Sequence, residues 1–402
     1  MADRPSMKDG LSELFRRTDS GGAPSESGAQ DAVVKGRPYV TTIKVVGVGG
    51  AGTNAINRMV DSGVKGVEFI AVNTDAQQLG VCDADVKIHI GQEITHGLGG
   101  GANPDVGREA MEMSRDQLKA ALRGADLVFV TAGEGGGTGT GGAPVVAQVA
   151  RELGGVTIAI VTRPFGFEGN RRLRQALEGI EALKEVADTV ISIPNDRLLE
   201  VVERNTSVVE AFRYADDILR QGVQGITDLI TVPGLINLDF ADVRTIVKDA
   251  GTALLGIGVA GGESRAQAAA DMAIHSPLLE TAIDGARGLL LNITGGSDLT
   301  LYEVNEAAGV ISEAADDDAN IIFGAVVDER LEGKISITVV ATGFGERAAR
   351  AAREAAPPQA RPRGLEETIR ERPADKGTRF GPAPSFDGGD FEIPSFVNQP
   401  ED

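Results

Sequence analysis

The chain has 402 residues, which is more than one ordinary domain needs and fits two domains with flanking tails. Asp and Glu outnumber Lys and Arg by 59 to 39, so the formal net charge is −20, and a field of that sign disfavours sequence-independent nucleic-acid binding. One cysteine and three scattered histidines exclude an internal disulfide and a CxxC metal site, and they argue against a His-rich zinc site.

The first segment, residues 1–38, is polar and rich in Gly and Ser, which predicts a disordered N-terminal arm. It lacks the apolar stretch of a secretory signal. No apolar run anywhere in the chain approaches the roughly 18 residues of a membrane span. We therefore expect a cytoplasmic protein that does not insert directly into a membrane.

Residues 39–205 alternate short apolar runs with amphipathic segments, which predicts an α/β domain. Each apolar run is unbroken, and this is typical of a parallel sheet covered by helices on both faces. One helix is predicted from Pro104 to Gly124, and another is predicted to begin at Pro144. The predicted strands lie at 42–50, 67–75, 86–91, 125–133, 156–165 and 188–195.

Apolar residues recur at a spacing of three and four in residues 206–232, which predicts one long central helix between two domains. A second, smaller α/β domain is predicted over 233–346, where strands and helices again alternate. Residues 347–388 are rich in Arg, Ala, Glu and Pro without a sustained period, which predicts a disordered linker.

The last segment, residues 389–402, contains a small apolar cluster after that linker, which predicts a partner-binding peptide. A random tail is the alternative. The cluster consists of Phe391, Ile393, Phe396 and Val397.

Three glycine-rich loops each follow a predicted strand and precede a predicted helix. Gly47–Gly52 satisfies G-x-G-x-x-G, and Asp75 near the end of the next strand completes a dinucleotide fingerprint. The segment 133–142 holds seven glycines in ten residues and lacks the Lys of a Walker loop. A third loop spans 97–104. Backbone N–H groups at helix starts bind anions, so three such loops at one sheet edge indicate a single polyphosphate site.

Five motifs in the right order carry a resemblance to a known family. They are NTDAQ at 73–77, GGGTGTG at 135–141, RPFGFEGNRR at 163–172, ISIPNDRLLEV at 191–201 and GLINLDFADV at 234–243.

The chain resembles the FtsZ family of bacterial tubulin-like GTPases over residues 40–344 and in its terminal peptide. This resemblance implies an N-terminal Rossmann-like GTPase domain, a long central helix and a smaller C-terminal α/β domain. It also implies that the protein binds GTP and GDP, hydrolyses GTP and polymerises head-to-tail into filaments of the cell-division ring at mid-cell.

The resemblance assigns a nucleotide contact to each glycine loop and to three further segments. The second loop matches the one that wraps the α- and β-phosphates, and the third matches the one that senses the γ-phosphate. Glu168 and Arg172 match ribose and phosphate contacts, and Phe212 and Asp216 match the pair that stacks on and hydrogen-bonds the guanine. The implied loop residues are Gly49, Gly50, Ala51, Gly52, Thr53 and Asn54, then Gly100, Gly101 and Ala102, and finally Gly135, Gly136, Gly137, Thr138, Gly139, Thr140 and Gly141, with Asn195 as a further nucleoside contact.

Elementary chemistry is consistent with these nucleotide-binding roles and is also consistent with purely structural ones. A guanidinium neutralises phosphate and a carboxylate accepts from sugar hydroxyls, yet Glu168 and Arg172 have the spacing of an i,i+4 helix ion pair. From spacing alone, Phe212 fits a hydrophobic core better than a ligand site. Ala51 departs from the family's run of four glycines, and we expect its methyl group to have a small effect. Glu134 stands where the family often has an apolar residue.

The acids proposed for hydrolysis lie beyond the long helix, in the segment 237–242. The resemblance implies that Asp239 and Asp242, assisted by Asn237, enter the nucleotide site of the next subunit and orient the attacking water. Either aspartate would also serve as a helix cap. Mg²⁺ is expected with the triphosphate, which together with water usually supplies most of its ligands.

Two other functions fit parts of the sequence. An NAD(P)-dependent oxidoreductase explains Gly47–Gly52 and Asp75 but leaves the second glycine loop unexplained. A nucleotide-binding scaffold that polymerises without hydrolysis would not need Asp239 and Asp242. The resemblance further implies that residues 391–397 bind membrane tethers and regulators of the division ring, although the basic flank that often follows this peptide is absent.

Overall fold

The computed structural model describes residues 41–203 and 205–344. The predicted N-terminal arm (1–38), the linker (347–388) and the partner-binding peptide (389–402) lie outside the described residues. Within the described ranges, no helix is both long enough and apolar enough to cross a membrane.

The first half of the described chain alternates strands with helices. Its elements are β1 (Ile43–Val48), α1 (Gly49–Asp61), β2 (Val67–Asn73), α2 (Ala76–Gly80), β3 (Val86–His89), α3 (Gln92–Thr95), α4 (Pro104–Met113), α5 (Arg115–Leu122), β4 (Leu127–Gly133), α6 (Thr138–Glu152), β5 (Val156–Arg163), α7 (Asn170–Val186) and β6 (Thr189–Pro194), with 3-10 turns at Gly166–Glu168 and Asn195–Glu200.

The second half begins with the long helix and adds four strands. Its elements are α8 (Val208–Thr231), α9 (Phe240–Val247), β7 (Gly251–Gly261), α10 (Arg265–Ile274), β8 (Gly288–Gly295), α11 (Leu301–Ala314), β9 (Asn320–Val327), a 3-10 turn at Glu329–Leu331 and β10 (Lys334–Thr342).

All ten strands form one sheet in the order β3-β2-β1-β4-β5-β6-β7-β10-β8-β9. The first seven strands in this order pair in parallel, which confirms the predicted α/β fold. β10 is antiparallel to both of its neighbours, β7 and β8, and β8 and β9 are parallel. Three residue pairs between β6 and β7 join the two halves.

Helices cover both faces of the sheet, as the unbroken apolar strands predict. Adjacent residues of β1 point to opposite faces, so Val45 belongs to the hydrophobic cluster that contains Leu219 of α8. Val46 belongs to the other cluster, with Met111 of α4 and Val146 of α6. α8 therefore packs on one face of the sheet, while α4 and α6 pack on the opposite face.

The long helix α8 begins with a reciprocal cap. Ser207 Oγ accepts from the Glu210 backbone N–H at 3.2 Å, and a Glu210 carboxylate oxygen accepts from the Ser207 N–H at 2.9 Å. Val208 and Val209 are exposed, and burial begins at Ala211. The apolar stripe therefore faces the core along most, but not all, of the helix.

The segment from Pro104 to Gly124, predicted as one helix, forms two. The Ser114 N–H bonds back to the Met111 carbonyl oxygen at 3.0 Å, which tightens the last turn of α4. Ser114 has φ −101° and ψ 13°, in the sparsely allowed bridge region, so the helix axis breaks there and α5 starts afresh.

The prediction that a helix begins at Pro144 is also wrong, because α6 begins at Thr138 and contains Pro144. The Gly141 N–H donates to the Gly137 carbonyl oxygen at 3.0 Å within the glycine run. A Cβ at Gly141 would collide with the Pro104 carbonyl oxygen of α4. Half of the presumed loop is therefore the first turn of a helix, whose glycines permit close packing against α4.

Candidate nucleotide-binding site

A cleft of about 360 Å³ opens at the carboxyl ends of β1, β4, β5 and β6. In an open parallel sheet of this order, ligands bind in the crevice at the point where the strand order reverses, which here lies between β1 and β4. Twelve residues predicted from the sequence line this cleft, namely Gly50, Ala51, Asn54, Gly136, Gly137, Thr138, Gly139, Glu168, Arg172, Asn195, Phe212 and Asp216.

The first glycine loop is the turn from β1 into α1. Gly49 has φ +70°, and a Cβ there would lie 2.9 Å from the Gly139 backbone nitrogen of the second loop. The Thr53 hydroxyl donates to the Gly49 carbonyl oxygen at 2.7 Å, and a Cβ at Gly52 would lie 2.6 Å from the Thr131 carbonyl oxygen. The loop thus packs against neighbouring backbone through Gly49, Gly52 and Thr53. It faces the cleft through Gly50, Ala51 and Asn54.

The methyl group of Ala51 has a defined place beside β4. A Cβ built on Gly133 would lie 2.7 Å from the Ala51 Cβ, so the methyl fits because Gly133 has no side chain. The small effect expected for the Ala51 departure stays a prediction.

The second glycine loop brings a helix N-terminus to the cleft. Gly135 has φ +92°, its N–H donates to the Thr140 hydroxyl at 2.8 Å, and a Cβ there would lie 2.7 Å from the Arg172 carbonyl oxygen. Thr138 and Gly139, the first residues of α6, line the cleft. The unpaired N–H groups and dipole of α6 favour an anion at this point.

The third glycine loop lies next to the start of α6, but its residues are not among those that line the cleft. A Cβ at Gly100 would lie 3.3 Å from the Thr138 hydroxyl oxygen, which is itself 2.6 Å from the Thr74 hydroxyl oxygen. Gly101 and Ala102 are exposed, and Ala102 has φ +56°. The loop therefore lies beside the N-terminus of α6, next to the cleft and not within its lining.

Glu168 and Arg172 form the i,i+4 ion pair that their spacing predicts, and both also line the cleft. A Glu168 carboxylate oxygen additionally accepts from the Phe165 backbone N–H at 2.9 Å. The Arg172 side chain is 46 % exposed. Since a guanidinium has five N–H donors, Arg172 retains capacity for an anion while it holds Glu168.

Asn195 lies at the start of the 3-10 turn after β6 and is buried. Its Oδ1 atom has no hydrogen-bond partner among the described residues. A buried acceptor without a partner costs about 1–3 kcal/mol, which a ligand donor in the cleft would relieve. This unsatisfied atom is therefore an independent indication of a polar ligand.

Phe212 and Asp216 project into the cleft from one face of α8, one turn apart. The Phe212 ring is 39 % exposed and packs edge-on against Phe165 and Phe167, with centroids 5.4 and 6.4 Å apart. The core role favoured by spacing alone is therefore wrong. Burial raises the pKa of Asp216 to about 7, against the opposing influence of Arg58. An exposed aromatic face and a carboxyl acceptor together suit a purine base with N–H donors.

The structure adds cleft residues that sequence reasoning did not assign. Gln78 is positioned by α2, whose N-cap Asp75 accepts from the backbone N–H groups of Gln77 and Gln78 at 2.9 and 3.1 Å. Glu134 follows β4 directly, and Thr162 is the penultimate residue of the neighbouring β5. The sequence contained a signal for these three residues, because each adjoins a predicted motif or strand end.

The acids of the segment 237–242 are not among the residues that line the cleft. Asn237 Oδ1 accepts from the Gly234 N–H at 2.6 Å, and Asp239 Oδ1 accepts from the Asp242 N–H at 2.9 Å as the N-cap of α9. All three side chains belong to exposed residues. The capping role foreseen for Asp239 is thus present, and the cleft of a single chain does not contain these acids.

A protein-only metal cage is not evident in the described part of the chain, where no group of three or more His, Cys, Asp or Glu side chains is arranged to hold a metal ion. A divalent cation in this cleft would take most of its ligands from phosphate oxygens and water.

Comparisons with known proteins match the two parts of the chain that flank the long helix α8. Residues 42–203 match the Tubulin/FtsZ family, GTPase domain, and residues 251–345 match the FtsZ family, C-terminal domain. The chain is similar to an FtsZ dimer from M. jannaschii, solved empty, with 43 % identity, a TM-score of 0.75 and coverage of 85 % of this chain and 94 % of that one.

Two more distant structures share the fold. CetZ2 from Haloferax volcanii, solved as a GTPγS-bound protofilament, has 23 % identity and a TM-score of 0.64, with coverage of 78 % of this chain and 98 % of that one. CetZ1 from Haloferax volcanii, solved as a GDP-bound monomer, has 20 % identity and a TM-score of 0.67, with coverage of 78 % and 99 %.

The oxidoreductase alternative finds no support in these matches. The geometry also disfavours it, because Asp75, which a dinucleotide ribose would require, caps α2 through two backbone hydrogen bonds.

Proposed function

Because this chain belongs to the Tubulin/FtsZ family and is a GTPase, we propose that the cleft between β1 and β4 is where it binds GTP and GDP. One observation carries the proposal: the N-terminus of α6 and the unpaired Asn195 acceptor face the same cleft. The first suits a phosphate and the second suits a nucleoside N–H or O–H group.

In this proposal the phosphates lie along the first and second glycine loops. The N-terminus of α6 receives the α- and β-phosphates, and Arg172 adds a positive charge while Glu168 accepts from the ribose. The third loop, 100–102, contacts the γ-phosphate. Mg²⁺ would accompany the triphosphate, with phosphate oxygens and water as most of its ligands, and would neutralise part of the phosphate charge.

The base occupies the side of the cleft formed by α8. Phe212 stacks on the guanine, and the Asp216 carboxylate accepts from its two neighbouring N–H donors, which adenine lacks as a pair. Asn54 and Asn195 supply further nucleoside contacts. Guanine selectivity follows, because guanine offers two N–H donors to the half-buried Asp216 carboxylate, whereas a base without that donor pair would leave the carboxylate unsatisfied.

Hydrolysis is proposed to occur between subunits. The phosphate loops belong to the first half of the chain, whereas Asn237, Asp239 and Asp242 lie outside its cleft and are exposed. A head-to-tail neighbour brings these acids to the γ-phosphate, where they orient the attacking water. Such heterologous contacts do not close, so they generate open filaments.

We further propose that these filaments form the cell-division ring in the cytoplasm at mid-cell. Residues 391–397 would bind membrane tethers and regulators through their apolar side chains, at the end of the linker 347–388. We also propose that the chain consists of a GTP-binding domain (39–205), a central helix (206–232) and a C-terminal domain (233–346). A chain that ends at residue 388 should polymerise and hydrolyse GTP normally but lose recruitment, and failed assembly would contradict the assignment.

A mixing experiment tests the shared site. Arg172→Ala impairs the nucleotide side of a subunit, and Asp239→Asn impairs the acid side while it keeps a capping oxygen. Each variant alone should hydrolyse GTP slowly. An equal mixture places intact nucleotide and acid sides together at about a quarter of its interfaces, and activity should recover to about that fraction of wild type.

The matched control is a mixture of Asp239→Asn with the double variant Arg172→Ala/Asp239→Asn, which provides no intact acid and should show no recovery. If the first mixture co-assembles and also fails to recover, the site lies within one subunit. If Asp239→Asn alone hydrolyses GTP at the wild-type rate, the acids are not needed. A protein that assembles with GTP but never hydrolyses it would be the non-enzymatic scaffold.

A further inference from the structure

Glu134 is a buried carboxyl at the base of the second glycine loop. Its backbone N–H donates to the Thr162 carbonyl oxygen at 2.9 Å, which extends the pairing of β4 with β5 by one residue. The residue is 5 % exposed and lines the cleft, yet neither carboxyl oxygen has a hydrogen-bond partner among the described residues. The side chain lies against α7, where a Cβ at Gly179 would collide with it.

Within the described part of the chain, no cation is positioned to compensate a negative charge on this carboxyl. α6 contributes the Thr140 hydroxyl, which already accepts from the Gly135 N–H, and α7 contributes Gly179. Burial raises the pKa of Glu134 to about 8, against the opposing influence of the Thr140 hydroxyl. Among the cations near this carboxyl, Arg172 pairs with Glu168 and Arg163 pairs with Glu280. Arg171 and Arg174, also on α7, are exposed to solvent.

We propose that binding of a nucleoside polyphosphate by this protein is coupled to protonation of Glu134, so that the ligand favours the form in which this buried carboxyl is uncharged. The inference rests on the proposed nucleotide site. Binding to the ionised form takes one proton from the buffer, which converts the carboxylate to a carboxylic acid. Glu134 is a positioning residue here, since its buried oxygens act through the loop that holds the phosphates.

The physical reason is electrostatic. Phosphates at the start of α6 and an ionised Glu134 would place like charges around a water-poor loop, where their repulsion is poorly screened. The neutral acid removes that repulsion. By linkage, a ligand that favours the protonated form also raises the pKa of the group, so the coupling is measurable from either side.

Calorimetric titration of the full-length protein with GDP tests the coupling. Titrations in two buffers of different ionisation enthalpy measure the protons taken up per GDP bound. With a pKa of about 8 in the free protein, we expect Glu134 to contribute uptake of about half a proton near pH 8. The ratio of the wild-type Kd for GDP to that of Glu134→Gln should be about tenfold higher near pH 9 than near pH 7. Glu134→Gln should abolish this part of the uptake and of the Kd change.

Comparison with Glu134→Gln removes contributions shared by both proteins, including the titration of guanine itself and of Asp216. Guanosine is the matched ligand, because it lacks phosphates and should produce no uptake that depends on Glu134. Equal proton uptake and parallel Kd profiles in the wild type and Glu134→Gln would overturn the inference. Failure of the wild type to bind GDP at any pH would instead refute the proposed nucleotide site.

A stability measurement separates this coupling from a purely structural role. Because the pKa of Glu134 in the folded protein is raised above the ordinary value of 4.5, the contribution of this carboxyl to stability is fully present below that value. The contribution is lost as the pH rises to about 8. The melting temperature of the ligand-free wild type, relative to Glu134→Gln, should therefore fall between about pH 5 and 8 and then stay level. The GDP affinities of the wild type and Glu134→Gln should differ mainly above that pH range. If Glu134→Gln does not fold, Glu134→Met, which is also uncharged, must show the same loss of coupling.

Discussion

Asp239 has a structural role and a proposed catalytic role at the same time, and the two can be separated by substitution. Its Oδ1 caps α9 by accepting from the Asp242 N–H at 2.9 Å. Asp239→Ala removes both the cap and the carboxylate, whereas Asp239→Asn keeps an oxygen acceptor and removes only the charge. We expect both variants to bind GDP normally and to hydrolyse GTP slowly, with only the Ala variant losing stability.

The magnitudes decide between the two roles. Loss of an N-cap costs about 0.5–2 kcal/mol. A protein of ordinary stability, about 5–15 kcal/mol, then stays more than about 99 % folded at 25 °C. A capping role alone therefore leaves the hydrolysis rate unchanged. Loss of a water-orienting group that slows hydrolysis about 10²-fold corresponds to about 2.7 kcal/mol of transition-state stabilisation.

The assay is phosphate release at saturating GTP, over protein concentrations that span the onset of assembly, combined with thermal melting of each variant. Asp242→Asn is the matched control, because its side chain is exposed and its backbone N–H still bonds to the cap. It should melt like the wild type and hydrolyse slowly. If Asp239→Asn retained the wild-type rate, or if Asp239→Ala lost activity only in proportion to unfolding, the catalytic role would be refuted.

Three further substitutions have expected outcomes. Because the Asp216 carboxylate is the form that accepts from guanine and its pKa is about 7, the GDP affinity of the wild type relative to Asp216→Asn should fall about tenfold from pH 8 to pH 6. Asp216→Asn should bind GDP weakly, and parallel pH profiles of the two proteins would contradict the role. Gly141→Ala forces α4 away from α6 and should lower the free energy of unfolding, measured with denaturant, by about 2 kcal/mol or more. The control is Gly309→Ala on α11, where a Cβ meets nothing within 4 Å, and it should not lower the free energy of unfolding. Arg265 is buried and bonds Glu303 at 2.6 Å, and this bond lowers the pKa of the Glu303 carboxyl to about 2. Arg265→Met should therefore lower the free energy of unfolding by about 2 kcal/mol near pH 7. The loss should be smaller near pH 3, because the wild-type ion pair is itself lost as the pH falls toward 2.

Much of the fold follows from local patterns in the chain. Unbroken apolar strands alternating with helices predict the parallel sheet, and glycine loops after β1 and β4 predict where the cleft opens. The helix boundaries near Ser114 and Thr138 were not predictable in this way. They depend on how α4 packs against α6, where the glycine at 141 permits a contact between distant segments.

The candidate site shows a similar limit. Helical periodicity places Phe212 on the same stripe as core residues, and only the tertiary structure reveals that this end of the stripe meets the cleft. Asp239 fits a helix cap and a catalytic acid equally well from sequence, because both roles use an oxygen acceptor at the same position. Glu134 was visible as a departure from the family, but its burial depends on α7.

The position of β10 has a consequence for how the protein is made. β10 is the last described strand in the chain, yet it lies inside the sheet and pairs with β7 and β8 along eight residues each. A nascent chain can complete the parallel strands β1 to β6 long before residues 334–342 leave the ribosome, whereas β7 and β8 must wait with exposed edges. Synthesis therefore yields a folded nucleotide-binding half first, and the half that carries the proposed catalytic acids matures only at the end.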